Sequence, residues 1–159
     1  MTTIIDNTLL DKVTRQAEEN PRRRMNYNFH QTLDAPINRL LNALMPDTYL
    51  PPHRHSGPQK EEIFFVLRGS VLLLHFDDEG NVILAKEINP KKGVYGMEYD
   101  ARIWHSLIVL EPDTVVYEVK EGPYVALKPE DFGPWAPSAD DPEKAKEYNK
   151  MLLEKYYHK

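Results

Sequence analysis

Short apolar runs separated by turn residues fill the middle of the chain. Positions 24–30 alternate strictly, with Met25, Tyr27 and Phe29 on one face and polar residues on the other. Successive side chains of a strand point to opposite faces, so this alternation predicts a β-strand with one buried face.

Further apolar runs of strand length come in pairs. Residues 71–76 and 82–84 flank an acidic turn, which predicts a hairpin. Residues 105–110 and 115–119 flank a turn that contains Pro112, which predicts a second pair. Several short strands at this spacing are typical of a sandwich or a barrel.

The two ends of the chain have helical periodicity. We expect an N-terminal helix within residues 1–20, with Thr8 as its cap and Asn20-Pro21 as its end. We expect a C-terminal helix over residues 141–157, with Asp141 as its cap. The apolar stripes of these helices are Leu9, Leu10, Val13 and Ala17, and Tyr148, Met151, Leu152 and Tyr156.

Composition restricts the functional classes. The chain has 159 residues, which indicates one domain over 1–159, and it contains no cysteine, so a metal would have to bind His, Asp, Glu or water. The formal charge of −5 argues against a nucleic-acid partner. No apolar stretch approaches the ~20 residues of a membrane helix, so we expect a cytoplasmic protein without a membrane partner.

Four residues form a candidate metal site. His53 and His55 are two positions apart, so on a strand both imidazoles would point to one side. Glu62 and His105 each open an apolar run, where an unpaired carboxylate would be costly to bury. From the residues alone, two surface histidines and a satisfied core histidine remain the alternative.

The spacing of these residues resembles the cupin superfamily. His53-x-His55 and Glu62-(six residues)-Gly69 match the first cupin motif, although Asp47 stands where that motif opens with glycine. His105 matches the end of the second motif. A narrower resemblance, to the WbuC family of cupin-fold metalloproteins, rests on runs at 23–30, 38–44, 122–124 and 133–137.

The resemblance implies an all-β cupin jelly-roll barrel, over residues 24–127, with short N-terminal and C-terminal helices and a loop at 128–140. It implies one divalent transition metal ion (Zn, Fe, Mn or Ni) on His53, His55, Glu62 and His105, and a homodimer. It also implies that residues 38–44 form a strand, although their apolar spacing by itself predicts a helix.

The WbuC resemblance implies a role in surface-polysaccharide (O-antigen or lipopolysaccharide) biosynthesis. We expect a metal-binding protein that acts on, or binds, a sugar or sugar-derived acid through Lewis-acid chemistry such as isomerisation or epimerisation. An iron-dependent dioxygenase and a non-catalytic ligand-binding or sensing module remain alternatives, so the chain need not be an enzyme. The candidate bases are His30 and Glu118, and the candidate substrate-binding residues are Arg24, Asn26, Asn28 and Arg39.

Overall fold

The computed structural model describes residues 2–58 and 60–158. Within these residues the chain forms eight strands between two α-helices. The helices and strands are α1 (Asn7–Glu19), β1 (Arg24–Asn28), β2 (Ile37–Leu44), β3 (Glu61–Arg68), β4 (Val71–Phe76), β5 (Val82–Ile88), β6 (Gly96–Asp100), β7 (Trp104–Val109), β8 (Thr114–Glu121) and α2 (Pro142–Tyr156). Neither helix is long and apolar enough to cross a membrane.

The strands form two antiparallel sheets that enclose one interior. The larger sheet has the order β1-β2-β8-β3-β6, and the smaller has the order β5-β4-β7. The predicted β4–β5 hairpin is confirmed. The predicted second pair is wrong, because β7 pairs with β4 while β8 pairs with β2 and β3. The turn after β7 carries the chain from one sheet to the other, and a linear sequence does not distinguish this crossover from a hairpin.

Strand β2 confirms the extended conformation expected for residues 38–44. Both of its faces are covered, since Leu41 and Ala43 pack beneath α1 while Leu44 lies in the barrel interior. Apolar residues therefore occur at both even and odd positions of β2, and their combined spacing matches the pattern expected for a helix.

Helix α1 covers the outer face of the larger sheet through Leu10, Val13 and Ala17. The helix begins earlier than expected. Asp6, and not Thr8, is the N-cap, and its carboxylate accepts a hydrogen bond of 3.0 Å from the backbone nitrogen of Leu9. The predicted end at Asn20 is confirmed.

Helix α2 covers the outer face of the smaller sheet. Asp141 is its N-cap, as predicted, and Leu152 packs on Leu74 and Phe76. Met151, expected in the same stripe, is 45% exposed, because the contact face is rotated toward Ala145 and Leu152.

The barrel interior has two chemically different ends. The apolar end consists of Leu44, Phe64, Val66, Val71, Leu73, Val109 and Val116. The polar end consists of Asn38, Asn42, Glu62, Glu118 and Lys120 together with three histidines. The strands β2, β3 and β8 each contribute inward residues to both ends, so one sheet face changes from apolar to polar along its length.

Candidate metal centre

Three imidazoles meet at the polar end. His53 and His55 lie just before β3, and His105 is the second residue of β7. One nitrogen from each ring lies within 4.8 Å of the others, a grouping that could hold a metal ion. The His53 and His105 backbones bond to each other in both directions, at 3.0 and 2.9 Å, and this bridge brings the two segments together.

Backbone carbonyls orient two of the rings. The Nδ1 atom of His53 is 2.9 Å from the Pro51 carbonyl oxygen, and the Nδ1 atom of His105 is 2.7 Å from that of Ile103. A carbonyl only accepts, so each Nδ1 carries the proton and each Nε2 keeps its lone pair for a ligand. Burial lowers the pKa of His53 to about 4 and holds the pKa of His105 well below its usual range, which favours the neutral rings that bind metals.

Glu62 lies beside the imidazole cluster of His53, His55 and His105. Its Oε2 atom is 3.6 Å from the Nε2 atom of His55. Both atoms are buried and have no hydrogen-bond partner among the described residues. Unpartnered buried polar atoms that face each other are costly, and a cation between them would remove that cost. Three imidazoles and one carboxylate suit zinc, iron, manganese or nickel, so the residues fit the predicted metal.

A buried ion-pair network supports Glu62 from the other side. The Lys120 ammonium lies 3.1 Å from Oε1 of Glu62 and 2.9 Å from Oε2 of Glu118. Burial opposes the charge on Lys120, but the two carboxylates outweigh it and raise its pKa. Burial likewise opposes the charge on Glu62, and Lys120 and His55 reverse that effect, so the pKa of Glu62 is lowered. Lys120 was not among the candidate site residues identified from the sequence.

A cavity of about 580 Å³ opens above the imidazole cluster. Asn26, Asn28 and His30 line it, so the polar face of β1 points to the cavity as the substrate prediction required. The Nδ1 atom of His30 lies 3.0 Å from the backbone carbonyl oxygen of Arg39 and 3.1 Å from its backbone nitrogen. When Nδ1 donates to that oxygen, Nε2 keeps its lone pair. Glu118 also lines the cavity, but Asn42 and Lys120 occupy its two oxygens.

The two predicted arginines do not reach this cavity. Arg24 donates from Nη1 to the Tyr49 carbonyl oxygen at 2.6 Å. Arg39 is exposed and lies on the face of β2 opposite to Asn38 and Leu40, both of which line the cavity. Arg24 and Arg39 therefore do not line the cavity as substrate-binding residues would, because the strand alternation directs Arg39 outward and Arg24 bonds to the Tyr49 backbone carbonyl.

Several cavity residues had not been identified from the sequence. They are Asn38, Asn42, Tyr99, Lys120 and Asp131. Strand alternation along β2 would have found Asn38 and Asn42, since both share the parity of the inward Leu44. Tyr99 and Asp131 lie in segments without a clear local pattern, and only the tertiary fold brings them to the site.

Contacts among Arg54, Asp78 and Trp104, here called the clasp, connect the two chain segments that carry the metal-binding histidines. Arg54 lies between His53 and His55, and its guanidinium stacks on the Trp104 ring at 4.2 Å. Asp78 accepts hydrogen bonds from both residues, at 3.2 and 2.8 Å. Because Trp104 immediately precedes His105, the clasp joins the two segments that carry the three imidazoles.

Solved structures with this architecture identify the class of fold. The protein TT1209 from Thermus thermophilus aligns with 17% identity and a TM-score of 0.53, covering 76% of this chain and 97% of that one. A cupin 2 domain-containing protein from Halorhodospira halophila aligns with 11% identity and a TM-score of 0.51, covering 86% and 84%. CapF in complex with the inhibitor 3-isopropenyl-tropolone aligns with 17% identity and a TM-score of 0.52, covering 70% and 30%. The fold is a cupin jelly roll, as predicted.

The sequence places the chain in a particular family. Residues 5–88 match the family described as Domain of unknown function (DUF6016), and the chain belongs to this family. No curated protein sequence matches the chain. The solved structures thus show a cupin fold, while the cupin-superfamily and WbuC resemblances of the sequence remain predictions.

Proposed function

We propose that this chain is a metal-binding cupin whose metal, held by His53, His55, His105 and Glu62, binds a small polyhydroxylated molecule, namely a sugar or a sugar-derived acid. The observation that carries the proposal is the convergence of three imidazoles beside Glu62 in the cavity wall, where Nε2 of His55 and Oε2 of Glu62 are buried without a hydrogen-bond partner among the described residues. When bound, such an ion acts as a Lewis acid that polarises a substrate carbonyl. The WbuC-like motifs favour surface-polysaccharide synthesis as the context and a homodimer as the assembly.

The reaction we propose is isomerisation or epimerisation by proton transfer. A base removes the proton from the carbon next to the carbonyl, and the proton returns to a different carbon or to the opposite face. His30 suits this role better than Glu118, because His30 lines the cavity and its Nδ1 can donate to the Arg39 carbonyl oxygen, which leaves the Nε2 lone pair to accept a proton. Both oxygens of Glu118 are already occupied, one by the Asn42 amide and one by the Lys120 ammonium, so neither is free to take a proton from a substrate.

Metal analysis tests the site. Purified wild-type protein should contain one divalent metal per chain by elemental analysis, and the His53→Ala/His55→Ala variant should contain none. His30→Ala is the matched control, since it removes a cavity histidine outside the imidazole cluster and should retain the metal. Retention of stoichiometric metal by the double variant would contradict the assignment.

Metal addition should stabilise the fold without being required for it. Free metal at a hundred times its dissociation constant should add about 2.7 kcal/mol to the free energy of unfolding. The apolar end gives the barrel its own core, so chelation should leave the β-type circular dichroism unchanged. A chelated protein that unfolds would show that the site is structural.

Solvent exchange separates an enzyme from a binding module. The metal-loaded protein is incubated in D₂O with a panel of reducing sugars, and deuterium at the carbon next to the carbonyl is followed by NMR. An isomerase or epimerase introduces deuterium there, and the His53→Ala/His55→Ala variant should not. Saturable binding without exchange would identify a binding module instead.

A further inference from the structure

Two amide oxygens at the polar end lack a hydrogen-bond partner among the described residues. They belong to Asn38 and Asn42, which are only 5% and 7% exposed and which line the cavity. Both side chains project from β2 toward the barrel interior. The great majority of buried amide oxygens accept a hydrogen bond. Two that lack one, both beside a cavity, indicate that a ligand supplies the hydrogen-bond donors.

The orientation of Asn42 is fixed by its neighbour. Its Nδ2 atom lies 3.2 Å from Oε1 of Glu118. A carboxylate held by an ammonium is an acceptor only, so reversing the amide would place two acceptors against each other. The oxygen is therefore the Asn42 atom left for a ligand.

Two of the three lysines that line the cavity are already engaged. Lys120 is shared between Glu62 and Glu118, and the Lys60 ammonium donates to the Pro123 carbonyl oxygen at 2.9 Å. Lys128 is exposed at the rim. Among the described residues, no arginine lines the cavity, while five acidic residues do: Glu61, Glu62, Glu118, Glu121 and Asp131. The wall thus offers acceptors and negative charge.

We propose that the polar end selects an uncharged ligand with several hydroxyl donors and discriminates against the acid of the same carbon skeleton. Hydroxyl groups supply the donors that Asn38 and Asn42 lack. A carboxylate in their place would face amide oxygens and an acidic wall, since Lys120 is already paired with Glu62 and Glu118. This inference rests on the proposed function for its location above the metal, and it narrows the substrate class from sugars and sugar acids to neutral sugars.

Matched sugar pairs test the proposal. Calorimetric titrations of zinc-loaded protein compare neutral hexoses, pentoses and 6-deoxyhexoses with the corresponding uronic acids, for example galactose with galacturonic acid. We expect at least one neutral sugar to bind at least tenfold more tightly than its acid. Asn42→Leu, which keeps the volume and removes the acceptor, should weaken that binding at least tenfold. Arg39→Leu changes the outward face of the same strand and should leave it unchanged.

The outcomes separate this inference from the metal site. Uronic acids that bind as tightly as their neutral parents, or a panel in which neither class binds, would overturn the neutral-ligand inference while zinc stoichiometry stays at one. Wild-type protein that takes up no zinc would instead overturn the metal centre. An Asn42→Leu variant that binds zinc and the neutral sugar with wild-type affinity would show that the amide oxygen is not part of the ligand site.

Discussion

The apolar and polar ends of the barrel interior are built on the same strands and yet satisfy opposite requirements. On β3, Phe64 and Val66 pack into the apolar end, while Glu62 on the same face lies beside the imidazole cluster. On β8, Val116 is followed at the inward positions by Glu118 and Lys120. The apolar end is complete without a ligand, whereas the polar end keeps buried atoms without partners among the described residues.

This difference indicates a division of labour within one sheet. Burial of apolar surface supplies most of the favourable free energy of folding, and within the barrel interior it is concentrated at the apolar end. Unpaired buried polar groups reduce stability, so their presence at the other end is consistent with a ligand site. Substitutions at the two ends should therefore affect different properties.

The largest effect should come from the apolar end. Phe64→Ala removes a side chain that is 2% exposed at the centre of the interior, and should lower the free energy of unfolding by about 3–5 kcal/mol. Metal stoichiometry at saturating zinc should not change while the protein is folded. Phe65→Ala is the matched control, because Phe65 is 42% exposed on the outer face of the same strand. Chemical denaturation measures both; equal losses for the two variants would break the comparison.

The next effect should come from the ion-pair network. Lys120→Met leaves Glu62 and Glu118 without their shared cation. We expect a loss of about 2 kcal/mol, less than the ~3–5 kcal/mol of fully buried pairs, because 29% of the lysine side chain is exposed. Zinc should stabilise this variant more than it stabilises the wild type, since the metal compensates Glu62.

The same denaturation assay supplies the control for the network. Lys91→Met breaks a pair with Glu111 whose lysine is 73% exposed, and should cost less than about 0.5 kcal/mol. A Lys120→Met variant as stable as the wild type would show that the two carboxylates do not need their cation.

The smallest effect on stability should come from the clasp, where the main consequence is for metal affinity. Arg54→Leu removes the stacking on Trp104 and should lower zinc affinity about tenfold, as loss of outer-shell support typically does. The stability loss should stay below about 1 kcal/mol. Arg23→Leu is the control, because Arg23 is similarly exposed and pairs with Asp47 outside the cavity. Unchanged zinc affinity in Arg54→Leu would remove the clasp from the site.

Strand alternation and local motifs were sufficient to predict most of the fold. The regular spacing of His53 and His55 and the apolar runs after Glu62 and His105 predicted which side chains converge, and the three imidazoles do. The start of α1 was predicted incorrectly. Asp6 and Thr8 are both residue types that favour the N-cap, and only the packed position of α1 selects Asp6.

The rest depended on tertiary contacts that a linear pattern does not contain. The crossover after β7 has the same turn residues as a hairpin. The sequence suggested Arg39 as a substrate-binding residue, and only the register of β2 shows that it lies on the outer face of the sheet. The sequence does not show that Lys120 faces the barrel interior. In the structure its strand lies between β2 and β3, and its ammonium pairs with the carboxylates of Glu62 and Glu118.

The chain of contacts from Asn42 through Glu118 and Lys120 to Glu62 also bears on how the sheet assembles. Glu62 lies directly opposite Lys120 in the β3–β8 pairing. A shift of β8 by one residue would turn Lys120 outward, and a shift by two toward its C-terminus would set Glu118 against Glu62, carboxylate against carboxylate. Apolar residues at the inward positions would also oppose the first error, because it would turn them outward, but they would tolerate the second better. The polar end therefore penalises misaligned strands during folding, so residues placed for ligand binding also specify a single register.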